Sequence, residues 1–132
     1  MTILLDTQCW LWWLVSPEKL SPSALDQLAD GENTLLLSAA SSWEIAIKYA
    51  LGKLPLPEPP ETFVPSRIAR DGVTPLPVEH THALRVSALP LHHRDPFDRL
   101  IIAQAQIEAV PVMTVDPVFL RYGVEVIRGD AT

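Results

Sequence analysis

The sequence predicts an α/β fold: a central, mainly parallel sheet of four to five strands flanked by helices on both faces. Three observations predict it. Short apolar runs too brief for helices read as buried strands: Thr2-Ile3-Leu4-Leu5, Thr34-Leu35-Leu36-Leu37-Ser38 and Val112-Met113-Thr114-Val115. Helical patterns alternate with them, which implies βαβ units and parallel pairing. One segment, from Asp95 to Ile107, is apolar almost all round, as a helix buried on more than one side must be.

Each element has its own signals. Thr7 can cap a helix running from Gln8 to Val15, where Trp10, Trp13 and Leu14 fall at helical spacing with Leu11 and Trp12 alongside. Such a cluster is either core packing or a partly exposed patch for a dimer or partner. Ser21-Pro22 opens a second helix through Leu25 and Leu28, which Gly31 closes. Ser41-Ser42-Trp43-Glu44 begins a third, running to about Leu51, with Gly52 as its stop. Its apolar stripe is Trp43, Ala46, Ile47, Ala50 and Leu51, and Glu44 and Lys48 lie together beside it.

The four prolines between Leu54 and Pro60 demand a loop. Helices follow over 61–70 and 79–88, with a short strand around 73–76 between them. Asp95 caps the central helix, Pro96 takes its first position and Asp98 its third. After the strand that ends at Asp116, Pro117 opens a short helical turn, and Val124-Glu125-Val126-Ile127 forms a last strand.

The chain has 132 residues, 48% hydrophobic and 20% charged, which suits a single globular domain spanning 1–132 and excludes a disordered tail. The 13 prolines sit between periodic segments and mark element boundaries. Cys9 is the one cysteine, so no internal disulfide can form and a reducing compartment is expected. No apolar run reaches the length of a membrane span, and no basic region precedes the first apolar residues, so a cytoplasmic protein is expected. The net charge of −6 argues against gripping nucleic acid through a general basic surface.

Ligands of open parallel sheets bind beyond the carboxyl ends of the strands, where strand order reverses. That rule brings four acids to one edge. Asp6 follows the first strand, Glu44 stands in the first turn of the helix after the second, Asp98 heads the central helix, and Asp116 follows the fourth strand. Four clustered carboxylates are untenable without cations or protons. An all-oxygen set suits Mg²⁺ or Mn²⁺ and not zinc. Such ions, when bound, activate water and neutralise charge on an attacked phosphodiester. Four of the six excess negative charges then belong to the cluster, and binding of a phosphodiester would depend on the metal and on Lys48, Arg94 and Arg99.

Each acid also has an ordinary structural use. Asp6 can be a turn residue, Asp116 a cap before Pro117, and Asp98 a partner of the helix dipole. Ser41 and Glu44 match a capping box, and Glu44 can pair with Lys48. Convergence at one edge is what favours a site. Capping explains Asp95, which is at most a supporting member. His80, His82, His92 and His93 show no ligand spacing and read as loop or surface residues.

Five stretches carry a family resemblance: Leu4-Leu5-Asp6-Thr7, Ser42-Trp43-Glu44-Ile45-Ala46-Ile47-Lys48, Leu51-Gly52-Lys53-Leu54, His92-His93-Arg94-Asp95-Pro96-Phe97-Asp98-Arg99 and Thr114-Val115-Asp116. In order, over nearly the whole chain, they resemble the PIN-domain family, and within it VapC-like toxins of type II toxin–antitoxin systems. The resemblance implies a PIN-like α/β/α sandwich and a Mg²⁺- or Mn²⁺-dependent endoribonuclease. It implies a homodimer neutralised by a cognate VapB-type antitoxin. Asp6, Glu44, Asp98 and Asp116 match the family's acidic quartet, and Thr114 a hydroxyl position beside it. Asp6, Asp98 and Asp116 would contact metal directly or through water, while Glu44 would bind metal or orient the attacking water. Products with 5′-phosphate and 3′-hydroxyl ends are expected, with no histidine required.

Two other classes compete. A phosphoacceptor domain would want adjacent acids after the first strand and a late lysine; here Thr7 and Gln8 follow Asp6, and no lysine follows Lys53. A catalytically silent PIN-like RNA- or protein-binding module would need no metal at all.

Overall fold

The computed structural model describes residues 1–130. In chain order it comprises β1 (Thr2–Leu5), α1 (Thr7–Val15), α2 (Pro22–Ala29), β2 (Thr34–Ser38), α3 (Ala39–Ala50), α4 (Pro60–Asp71), β3 (Thr74–Leu76), α5 (His80–Arg85), α6 (Pro96–Glu108), β4 (Val112–Thr114) and β5 (Val126–Arg128). A 3₁₀ segment, Pro117–Tyr122, joins β4 to β5. All pairings are parallel and the order is β3-β2-β1-β4-β5. The chain therefore starts at the centre, steps outward through β2 and β3, then crosses and steps outward through β4 and β5. The reversal falls between β1 and β4, so their carboxyl ends border the crevice where such sheets bind ligands.

Both faces of the sheet are covered. Ile3 and Leu5 of β1 pack with Trp10, Leu28 and Phe63 on one side. Leu4, pointing the other way by the period of two, packs with Ile101, Ile102 and Phe119. The continuous apolar runs follow from this, because a strand buried on both faces has no polar alternation. In α6, every residue from Ile101 to Ala105 is buried, as its all-round apolar pattern predicts.

Local boundaries differ from the sequence reading in instructive ways. Thr7 does not cap α1; Asp6 occupies the N-cap position, and the Thr7 hydroxyl donates instead to Ser41 Oγ at 2.7 Å. In α3 the Ser38 hydroxyl accepts the Ala40 amide at 3.0 Å, so the helix starts at Ala39 and the expected capping box of Ser41 and Glu44 does not form. Glu44 thereby lies in the second turn and not the first. The face of α3 that is buried carries Ala40, Ser41, Glu44 and Ile45, while Trp43 and Leu51 of the expected stripe are 59% and 63% exposed. The last strand begins at Val126 and not Val124, because Val126 is the residue registered against Val112 of β4.

On α1 the two readings divide the helix: Trp10 is fully buried, whereas Trp12 and Trp13 are half-buried. No helix of the described residues is long and apolar enough to cross a membrane.

Candidate acidic active site

Asp6, Glu44, Asp95, Asp98 and Asp116 all line one cleft of about 390 Å³. Asp6 continues β1 past its last residue: its amide donates to Met113 O at 2.9 Å, extending the ladder to β4. Its carboxylate makes no capping bond to α1. Instead Asp6 Oδ2 accepts the Thr114 hydroxyl at 2.8 Å, and Thr114 Oγ1 accepts the Asp116 amide at 3.0 Å. Thr114 thus ties the acids after β1 and β4 together. Glu44, 6% exposed, comes from the buried face of α3, and its Oε2 takes Lys48 Nζ at 2.6 Å. The other oxygen, Oε1, is buried and has no hydrogen-bond partner among the described residues.

Two acids open helices and still face the cleft. Asp95 Oδ1 accepts the amides of Phe97 and Asp98 at 2.8 and 3.2 Å, which accounts for that carboxylate oxygen by capping. Asp116 caps the 3₁₀ segment through the Val118 amide at 3.0 Å using Oδ1, leaving Oδ2 toward His93. The capping explanation of Asp116 is therefore correct and does not compete with a place in the cleft.

The electrostatics are those of crowded, dehydrated acids. Burial, with the charges of Asp6, Asp95, Glu44 and Asp116 added to it, pushes Asp98 up to about 8. Burial also lifts Asp6 to about 6, against the opposing hydrogen bond from Thr114 and with a further push from Glu44. Both groups are thus poised to take up protons near neutral pH unless another positive charge arrives. Lys48 is raised chiefly by its hydrogen bond to Glu44.

The basic residues part company here. Lys48 lies in the cleft lining and Arg94 is exposed. Arg99 has a different engagement from the one expected: its guanidinium donates to the carbonyls of Pro90 and Val86 at 3.0 and 3.2 Å, gripping its own chain. Two of the histidines are not mere bystanders in loops or at the surface. His82 is buried at 1% exposure, its Nδ1 accepting the Glu79 amide at 3.0 Å, so it is a core residue under α6. His93 enters the site: its Nε2 lies 2.8 Å from Asp98 Oδ2 and 3.1 Å from Asp116 Oδ2. Ligand spacing could not reveal it, and the available signal was its position just ahead of the Asp95 cap.

The donor set fits a hard divalent cation. Glu44 Oε1 is a carboxylate oxygen stripped of water and given no donor, which a cation would satisfy. Two acids held well above their ordinary range give the same message, since a bound ion would replace the protons they seek.

The model of the PIN domain family matches residues 3–125. Over 53 residues the chain is 60% identical to Ribonuclease VapC16 of Mycobacterium tuberculosis (strain ATCC 25618 / H37Rv); that stretch is 40% of this chain and spans 38% of the relative's length. Among solved structures, VapBC2 from Rickettsia felis bound to a promoter DNA fragment matches at TM-score 0.74 and 18% identity, covering 98% of this chain and 100% of that one. DNA-bound VapBC from Salmonella typhimurium matches at TM-score 0.70 and 19% identity, covering 96% and 97%. These likenesses agree with the parallel five-stranded sheet flanked by helices. With the family model covering nearly its whole length, the chain belongs to the PIN domain family.

Proposed function

We propose that this chain is a Mg²⁺- or Mn²⁺-dependent endoribonuclease, a VapC-like toxin restrained by a VapB-type antitoxin. The observation that carries the reading is the convergence of Asp6, Glu44, Asp98 and Asp116 on one cleft, with a buried Glu44 oxygen lacking any partner. The strong local identity to a ribonuclease supports RNA as substrate, and the VapBC neighbours support an antitoxin partner. A single-domain cytoplasmic homodimer is part of the same proposal.

Asp6, Asp98 and Asp116 would hold the ion, with Glu44 binding it or orienting the attacking water. A bound divalent ion supplies an activated water and neutralises charge on phosphate. Thr114 donates to Asp6 and so works against the rise that burial causes, favouring the ionised form that binds a cation. Lys48 partly offsets Glu44 and, being half exposed, stands where a backbone phosphate could replace that partner. Attack by water with departure of the 3′ oxygen leaves 5′-phosphate and 3′-hydroxyl ends. Asp95 supports the site by holding the first turn of α6. The half-buried Trp12 and Trp13 and the exposed Trp43 offer apolar contact area for a second copy or an antitoxin.

The experiment is cleavage of structured RNA by purified protein with Mg²⁺ or Mn²⁺, and with EDTA. We expect cleavage that EDTA abolishes and 5′-phosphate ends on the products. Cleavage unchanged in EDTA removes the metal mechanism. Calorimetry that detects no Mn²⁺ binding returns the chain to a silent binding module.

A further inference from the structure

We infer that His93 is a positioning residue of this cleft: its Nε2 carries the proton and donates it to Asp98 and Asp116, and it is not a ligand of the metal. Nε2 of His93, Oδ2 of Asp98 and Oδ2 of Asp116 form the kind of three-atom group that ordinarily suggests a metal site, all lying within 4.8 Å of one another. The surroundings of the other ring nitrogen decide otherwise. Nδ1 accepts the backbone amide of Asp95 at 3.3 Å, so its lone pair is engaged and cannot also hold a hydrogen. A neutral imidazole with Nδ1 as acceptor has its proton on Nε2, and a protonated nitrogen cannot ligate.

The distances from Nε2 are those of hydrogen bonds, yet the buried N–H meets neither oxygen with regular alignment. A donor standing between two acceptors behaves in that way. In effect, one N–H spans Asp98 in the first turn of α6 and Asp116 after β4, two groups that would otherwise repel.

The placement is built rather than incidental. The ring packs edge-on to Phe119 at 6.4 Å. The backbone amides of His92 and His93 both donate to Tyr122 Oη, at 3.0 and 2.7 Å. Arg99 grips the carbonyls of the segment leading in, including Pro90 at 3.0 Å and Leu89 at 3.4 Å. Arg99 and Tyr122 therefore hold the loop that presents His93, and the Arg99 guanidinium is committed to that internal role. As an outer partner of carboxylates that would bind the ion, His93 should orient them as such partners commonly do.

This inference rests on the metal-site reading for its consequence but not for its geometry, and the test separates the two. Two-bond ¹H–¹⁵N correlations on metal-free, histidine-labelled protein report which ring nitrogen of His93 carries the proton. We expect it on Nε2; a bare Nε2 overturns the inference, whether or not the protein cleaves RNA. Pulsed EPR of the Mn²⁺ complex should show no nitrogen coupling from His93, and a coupling lost in His93→Gln would make it a ligand and overturn the inference. Mn²⁺ affinity measured by calorimetry should fall about 10–100-fold in His93→Leu and stay within about threefold in His93→Gln, whose amide still donates. Equal losses in both variants would overturn it. Wild-type protein that binds no Mn²⁺ would refute the nuclease proposal, while the labelled-histidine spectrum would still decide the role of His93.

Discussion

Helix α6 contains two opposite environments a turn apart. From Ile101 to Ala105 it is buried among apolar neighbours, and removing water there is favourable. At its start, Asp95 and Asp98 share a cleft with Asp6, Glu44 and Asp116, where removing water from carboxylates is unfavourable and raises Asp98 to about 8. The first region stabilises the fold whatever the solution contains. The second costs stability until a cation or protons neutralise it. A rigid, buried helix can hold acids in such an arrangement because its middle is anchored independently of its mouth.

Changing charge at the mouth of α6 separates the two environments most directly. Asp98→Asn should lower RNA cleavage by about 10³-fold or more, the upper scale for losing a group that stabilises developing charge. Its metal-free melting temperature should equal or exceed that of wild type, since one repulsive charge is gone. A variant that cleaves normally, or that melts several degrees lower, would show that Asp98 belongs with the structural half of the helix.

Ile102→Ala makes the opposite cut. It should cost about 2–5 kcal/mol of stability by leaving a cavity between β1 and α6, as measured by denaturant unfolding. Mn²⁺ affinity of the folded fraction should change little. A large loss of metal affinity at unchanged stability would mean that the two regions are not independent.

Glu44→Gln sharpens the contrast within the cleft itself. The structure removes the capping role that glutamine could have shared, since Ser38 caps α3 and Glu44 lies in the second turn. The pair with Lys48 is half solvent-exposed on the lysine side, so its loss should move the melting temperature little. Cleavage with saturating Mn²⁺ should drop by at least about 10²-fold. Near-normal cleavage would leave three aspartates as the working set.

The smallest effect concerns pH. Asp6 at about 6 and Asp98 at about 8 bind protons more tightly folded than unfolded, where aspartate titrates at 3.8. Their contribution to stability is therefore present at low pH and lost as pH rises from about 4 through about 8. In EDTA the melting temperature should be higher at pH 5.5 than at pH 8.5, by several degrees on the usual size scale. Saturating Mn²⁺ should flatten that slope by substituting for the protons. A metal-free protein that is equally stable at both values would contradict the crowding of these acids.

Much of this was legible in the sequence because it depends on local pattern. Asp95, Pro96 and Asp98 announce the start of α6 in any context, and the apolar run of 34–38 is too short for a helix and reads as a strand. The cleft position of Asp6 followed from the rule for parallel sheets. The start of α3 was misplaced because Ser38 and Ser41 are both capable caps, and the choice depends on where β2 leaves the sheet. The exposed stripe of α3 was misread for a related reason: Trp43 and Ile47 look like core by type, and only packing shows which face turns inward.

The roles of His93 and Arg99 were set by tertiary contacts. Their partners come from other elements: Asp116 after β4, and Tyr122 from the 3₁₀ segment. Chain order by itself determined the parallel sheet, the apolar central helix and which acids follow which strands, since hydrophobic period and end signals are local. Tertiary structure alone decided which oxygens are left without donors, which histidine stands between two carboxylates and which arginine grips its own backbone. Those outcomes depend on distances that chain order does not fix, and such distances are set by the joint packing of both sheet faces.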